Sequence, residues 1–360
     1  MKYYCRDQFK TLSIVPGMGQ KAKVSPCCAS ITAPVDADDF DFLTNPHLNE
    51  IRQNVLSDTE PTSCYKCWQT ESFGQPSRRN GVNRGHGIDT TANIERVDIT
   101  CQSICNLACI QCYPGVSSTW AEELGHTQVL KSSYENKLKI FSKLDHSTIQ
   151  HIHFTGGEPL MTTEHYKVLE IMDENADLSK LKVSYNTNGT FYPNDTVIAQ
   201  WAKLKNLQIV VSVDAVGTTA EYIRYHSVWG EIAENVDKFH QLKTKLFSSG
   251  CRLDLTFLCC VSNYNLLELP AIIEFTKPYG RLEFQFNHNP YQAPNMIPED
   301  KVSIVNQTLS SYPELAGVLN MVNYRPTALA LEAGLNIYRH EMKKIDSRRK
   351  TDWTQHIKIQ

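Results

Sequence analysis

Cys105, Cys109 and Cys112 stand in a C-x3-C-x2-C pattern within Cys105-Asn106-Leu107-Ala108-Cys109-Ile110-Gln111-Cys112. Three thiolates on one short loop can wrap three corners of a cubane iron–sulfur cluster and leave its fourth iron without a protein ligand, open to chemistry. A zinc site or buried inert thiols are the alternatives, but zinc usually shows two separated C-x2-C pairs or accompanying histidines, which this loop lacks. A second motif follows one βα unit later, Phe154-Thr155-Gly156-Gly157-Glu158-Pro159-Leu160. Its paired glycines let the backbone approach a ligand closely, and an acidic side chain comes next. Taken alone, such a glycine pair reads as a tight turn.

Together and in this order, the two motifs resemble those of the radical S-adenosylmethionine (SAM) superfamily, C-x3-C-x2-C for the cluster and a glycine-rich GGEP loop after it. The resemblance covers about residues 94–290. It implies a partial (βα)6 barrel, a 4Fe-4S cluster on Cys105, Cys109 and Cys112, and reductive cleavage of SAM to a 5′-deoxyadenosyl radical that abstracts hydrogen from an unactivated C–H bond. It also implies a reductant such as flavodoxin or ferredoxin. The backbone around Gly156 and Gly157, with Glu158, would hold the methionyl amino group. Asn188 ends the third strand of this region, Ser212 and Asp214 end the fourth, and Arg224 follows. In similar enzymes such positions contact the ribose and carboxylate of SAM, and the chemistry suits them, since arginine pairs with a carboxylate in two-point geometry. Read without the resemblance, they are strand-end turn residues and a surface arginine. One departure is Gln111, where many family members carry an aromatic residue against the adenine; Tyr113 is close by.

Five further cysteines come early: Cys5, Cys27, Cys28, Cys64 and Cys67. Four would complete one site, and either a second cluster or a zinc ion would satisfy the spacing. With the stretch Glu71 to Arg79 they resemble the twitch (half-SPASM) domain, which binds an auxiliary 4Fe-4S cluster and here precedes the barrel, as in a subgroup of the superfamily. The resemblance implies Cys5, Cys27, Cys64 and Cys67 as ligands, with Cys28 able to replace Cys27. Cys101 reads as a strand-end thiol, and Cys251, Cys259 and Cys260 as buried small hydrophobes in or beside an apolar strand. His151 and His153 alternate with Ile152 and Phe154 as strand residues do. His288, in Asn287-His288-Asn289, reads as part of a solvated turn.

Elements able to position these residues are legible as short apolar runs alternating with amphipathic stretches. Runs at 94–99, 149–154, 181–185, 207–213, 253–258 and 282–286 predict six strands; 134–144, 165–173, 197–204, 229–246 and 266–276 carry helical spacing. Strand and helix alternating in this way imply an α/β fold of parallel βα units, as an open sheet or part of a barrel. Loop chemistry from Phe73 to Asn93 places a boundary there. The expected organisation is therefore a small Cys-rich twitch-like domain and linker over 1–90, a partial TIM-like barrel over 91–290 and a helical extension over 291–360, with Ala328 to Met342 as one of its helices.

The 360 residues exceed the usual size of a single core, and a net charge of −3 without any basic block gives no electrostatic mark of a nucleic-acid or membrane partner. No apolar run follows the charged residues of the amino terminus, and none later approaches the roughly 20 residues of a membrane helix, so a cytoplasmic protein is expected. In that reducing compartment twelve cysteines point to metal or cluster ligation rather than disulfides. Three functions fit: a radical enzyme modifying a peptide or protein, which the auxiliary-cluster resemblance favours; a radical enzyme oxidising or epimerising a small molecule such as an amino sugar or nucleoside; and a non-enzymatic iron–sulfur or zinc protein.

Overall fold

The computed structural model describes residues 1–17, 21–72, 77–126, 134–287 and 289–359. Its centre is a nine-stranded sheet: β1 (Thr11–Pro16), β2 (Ala22–Ser25), β3 (Ala33–Val35), β4 (Arg96–Thr100), β5 (His151–Thr155), β6 (Lys182–Thr187), β7 (Asn206–Ser212), β8 (Arg252–Val261) and β9 (Arg281–Phe286). The spatial order is β3-β2-β1-β4-β5-β6-β7-β8-β9. From β4 to β9 each strand lies parallel to the one before it in sequence. A doubly wound sheet reverses its order at a switch point. None occurs here, so right-handed crossovers put the connecting helices on one face and the twisted sheet curls away from them. This mixed α/β fold is consistent with a radical SAM partial barrel.

The strands have two unlike faces, unusual for parallel strands, which commonly read as continuous apolar runs. On β5, Ile152 and Phe154 are fully buried, whereas His151 and His153 are only half-buried. The apolar face packs on helix residues including Phe141, Leu169, Trp201 and Phe239 in one large core. The opposite face carries Arg96, Asp98, His151, His153, Ser184 and Gln208, so the concave side of the sheet is polar. The same alternation separates Cys259, fully buried, from Cys260, which is half-buried on the polar side and so departs from the reading of both as buried hydrophobes.

All six expected strands are present, and three more come from the first 35 residues. β1 pairs in parallel with β4, Thr11 opposite Arg96 and Ile14 opposite Ile99, and β2 and β3 continue the edge as antiparallel strands. The amino-terminal segment thus extends the barrel's own sheet, and within the stretch expected as loop Arg78–Asn83 forms a short helix capped by Ser77. In the carboxy-terminal extension, the helix expected over Ala328 to Met342 runs on to Arg349 and ends at Lys350 in the left-handed conformation. Among the described residues, no helix is long and apolar enough to cross a membrane.

Candidate radical SAM site

The three-cysteine loop leaves the end of β4 and is held almost entirely by backbone and short hydroxyl side chains. Cys101, fully buried, prolongs the pairing with β5 through its N–H to the Thr155 carbonyl at 2.7 Å. The helix Ser118–Glu123 then supplies donors to the loop. Thr119 Oγ1 donates to the Cys105 carbonyl at 2.6 Å, Ser117 Oγ to that of Leu107 at 2.6 Å and Trp120 Nε1 to that of Cys109 at 2.7 Å. On the other side, the Ala108 and Ile110 N–H groups donate to the Tyr225 and Ile223 carbonyls at 3.0 and 2.9 Å. A buried loop has to account for its backbone polar groups in this way.

Within that frame Cys109 is buried and Cys105 and Cys112 are half-buried. The thiols of Cys109 and Cys112 are hydrogen-bonded to each other, which lowers the first and raises the second. Burial pushes Cys105 up to about 11. Cation support comes from Arg224, which stays charged: burial opposes its charge, but Cys109 and Asp214 outweigh that. Its Nη1 donates to Asp214 Oδ2 at 2.6 Å, while its buried Nε has no partner. Three thiols beside a buried guanidinium with a spare donor fit a three-thiolate cluster bearing an anionic ligand. Among the described residues, no three His, Cys, Asp or Glu side chains converge as a single metal ion would require.

The glycine-rich loop also packs directly on the chain that leads into the cysteine loop. Gly157 lies against the chain just ahead of Cys105, and its N–H and that of Glu158 donate to the Gln102 and Ile104 carbonyls at 3.2 and 2.7 Å. Gly156 has φ +142°, a conformation side chains rarely adopt. Glu158 is fully buried: Oε1 accepts from Thr187 Oγ1 at 2.8 Å and Leu160 N at 3.1 Å, and Oε2 from Asn188 N at 2.6 Å. Burial nevertheless pushes its carboxyl up to about 7. Its oxygens are committed to the end of β6 and the loop.

Asn188 and Asp214 are likewise engaged. Asn188 Nδ2 donates to Asn106 Oδ1 at 2.9 Å, inside the cysteine loop. Asp214 accepts from Arg224, from Gln111 Nε2 at 2.6 Å and from Cys260 N at 2.8 Å. Gln111 also accepts from Tyr264 OH at 3.3 Å, so its amide is turned inward, and Tyr113 is exposed. Ser212 is half-buried on the polar face at the carboxyl end of β7. Asn106, Ser117, Trp120 and Tyr264 were not singled out from the sequence, because nothing local marks them as partners of the loop. His288 lies outside the described residues.

The early cysteines gather as well. Cys5, Cys27, Cys64 and Cys67 line one pocket together with Asp7 and Arg78. Cys28 is exposed and not part of that lining. Gln8 Nε2 donates to Cys64 Sγ at 3.5 Å. Burial pushes the Cys27 thiol up to about 12 and raises Cys5 further, a setting in which thiolates persist only when charge is supplied to them. Arg78 Nε donates to Asp7 Oδ2 at 2.7 Å, and its Nη2 reaches to within 3.7 Å of Asp98 on β4, linking this pocket to the polar face of the sheet.

Residues 99–251 match the Radical SAM superfamily. No curated protein matches the chain. Among solved structures, anSMEcpe with bound AdoMet is 17% identical, with 64% of this chain and 63% of that one covered and a TM-score of 0.42. SuiB of Streptococcus suis bound to S-adenosylmethionine is 10% identical, with 84% and 68% covered and a TM-score of 0.38. The same SuiB bound to its precursor peptide SuiA gives 10%, 92% and 68% with a TM-score of 0.37. The chain thus spans less than two thirds of the length of anSMEcpe, and these likenesses are too distant to carry function. The match over residues 99–251 takes in both the three-cysteine loop and the glycine-rich loop tied to it, so this part of the chain has the sequence character of the Radical SAM superfamily.

Proposed function

We propose that Cys105, Cys109 and Cys112 hold the SAM-cleaving 4Fe-4S cluster and that the enzyme abstracts hydrogen from a peptide or protein substrate. The observation that supports the site most is the interlock of the two motifs, with Gly157 packed under the backbone that leads into Cys105. When bound, the cluster and SAM supply a 5′-deoxyadenosyl radical by reductive cleavage of the sulfonium. Arg224, through its unpartnered Nε, receives the methionyl carboxylate, and Asp214 holds that guanidinium in place. Main-chain groups of Gly156 and Gly157 receive the amino group, with Glu158 bracing the loop from within. Ser212, at the mouth of the barrel, and the amide of Asn188 face the ribose side.

Cys5, Cys27, Cys64 and Cys67 are proposed as ligands of an auxiliary 4Fe-4S cluster, closed to substrate by four protein thiolates and suited to electron transfer or a structural role. Zinc in the same pocket is the alternative. The peptide reading rests on the likeness of this cysteine set to a twitch domain. The polar concave face, with Arg96, Asp98, His151, His153 and Ser184, favours a second reading in which a polar small molecule such as an amino sugar or nucleoside is oxidised or epimerised there.

Anaerobically reconstituted, reduced protein should form 5′-deoxyadenosine from SAM, and the Cys105→Ala, Cys109→Ala, Cys112→Ala triple variant should form none. Equal product from both would remove the assigned site. Deuterium passing into 5′-deoxyadenosine from a perdeuterated peptide pool, and not from deuterated nucleosides or amino sugars, would support the peptide reading; the reverse would support the second.

A further inference from the structure

The helix Ala328–Arg349 ends against the cysteine loop, although 241 residues separate Arg349 from its partner Ala108. The Arg349 side chain is 1% exposed. Its guanidinium lies between two rings, 4.7 Å from the Trp120 centroid and 4.3 Å from that of Tyr225. Nη2 donates to the Ala108 carbonyl at 2.8 Å and to Glu123 Oε2 at 3.0 Å, and Nε donates to both Glu123 oxygens at 3.1 Å. The two flanking residues grip the same stretch of loop: Tyr225 accepts the Ala108 N–H at 3.0 Å and Trp120 donates to the Cys109 carbonyl at 2.7 Å. Ala108 is therefore held at both ends of its backbone, immediately before Cys109.

Packing repeats the pattern. Ala108, Ile110 and Trp120 share a hydrophobic cluster, separate from the main core, with Tyr338, Met342 and Ile345 of this helix. Asp346 adds a polar tie, accepting from Tyr222 OH at 2.9 Å two residues before Arg224.

We propose that the carboxy-terminal helix is a working part of the SAM-cleaving site, and that Arg349 is a positioning residue that fixes the Ala108–Cys109 backbone and with it the spacing of the three cysteine ligands. The proposal rests on the assignment of the cluster to Cys105, Cys109 and Cys112. A planar fork sandwiched between rings can serve Glu123 and the Ala108 carbonyl at once; an ammonium on a flexible stem cannot hold both. Arg348 provides an internal comparison, because it pairs with the same Glu123 at 3.2 Å from a more exposed position and makes no bond to the loop.

Full-length Arg349→Met, Arg349→Lys and Arg348→Met would be reconstituted anaerobically, and two readouts taken: iron release to a ferrous chelator, and the change that SAM causes in the EPR signal of the reduced protein. Arg348→Met should match the parent. Arg349→Met should release iron about ten-fold faster, the usual scale for losing a residue that orients a metal ligand, and should lose the SAM-dependent change. Arg349→Lys should fall between. Arg349→Met behaving as Arg348→Met does would overturn the proposal, as would complete restoration by lysine if the methionine variant does not fold. A parent protein with no SAM-dependent signal at all would instead refute the cluster assignment beneath it.

Discussion

A β-carbon on Gly157 would stand 2.2 Å from the Ile104 carbonyl oxygen, closer than real β-carbons come to backbone. The glycine is required by the neighbouring loop, whose Ile104 carbonyl already accepts the Glu158 N–H at 2.7 Å. Gly157→Ala should therefore push the segment before Cys105 outward, destabilise the fold by about 1–3 kcal/mol as overpacking does, and cut 5′-deoxyadenosine formation by more than about ten-fold. Gly81→Ala, at a position with open space around it, is the control for thermal melting and for product.

Glu158 makes the opposite contribution to stability from an ordinary surface carboxylate. Burial raises its folded carboxyl to about 7, above the usual unfolded value near 4.3. The unfolded chain thus gives up this proton first as pH rises. The group's stabilising contribution is complete below about pH 4.3 and is lost as pH climbs through about 7, a loss of order 3 kcal/mol. Urea denaturation of parent and Glu158→Gln from pH 5 to 8 should show the parent falling relative to the variant. Parallel curves would mean that the carboxyl is ionised throughout.

A chain of hydrogen bonds on the concave face sets the proton on His153. Arg96 Nη1 donates to His151 Nδ1 at 3.2 Å, which leaves His151 Nε2–H to donate to Ser184 Oγ at 2.8 Å; the hydroxyl then donates to His153 Nδ1 at 2.8 Å. His153 should be neutral with its proton on Nε2, because burial lowers it to about 4. A histidine depressed in this way stabilises the fold above the unfolded value near 6.5, and that contribution fades as pH falls toward 4. Imidazole 15N shifts should report the Nε2–H tautomer from pH 8 down to about 5, and Ser184→Ala should mix the tautomers.

Cys27 and Cys28 are adjacent in sequence, but Cys27 is buried and lines the amino-terminal pocket, whereas Cys28 is exposed and does not. Cys27→Ala should lower the iron of the reconstituted protein by about four atoms per chain, the content of one 4Fe-4S cluster, and Cys28→Ala should leave it unchanged. Zinc in place of the lost iron would favour the zinc alternative, and equal iron loss from both variants would refute the distinction.

Six strands, their helices and the three-cysteine loop were legible in the sequence, because each depends on residues close together in the chain: runs such as Ile152 to Phe154, helical spacing, and ligands within eight positions. β1 was not, since Thr11–Pro16 is mixed in polarity and becomes a strand by pairing with β4, some eighty residues on. Nor was the burial of Glu158, which depends on the end of β6 folding over it. The preference for Cys27 comes from the resemblance, with Cys28 as its possible replacement; the fold adds that Cys27 and not Cys28 lines the pocket. Arg349 is the extreme case: its sequence context is a basic helix end, and only the approach of that helix to Ala108 makes it part of the site. Local spacing determined which atoms could bind iron and where strands could form; contacts between distant segments decided which backbone holds those atoms, because burial and hydrogen-bond partners are properties of the packed chain.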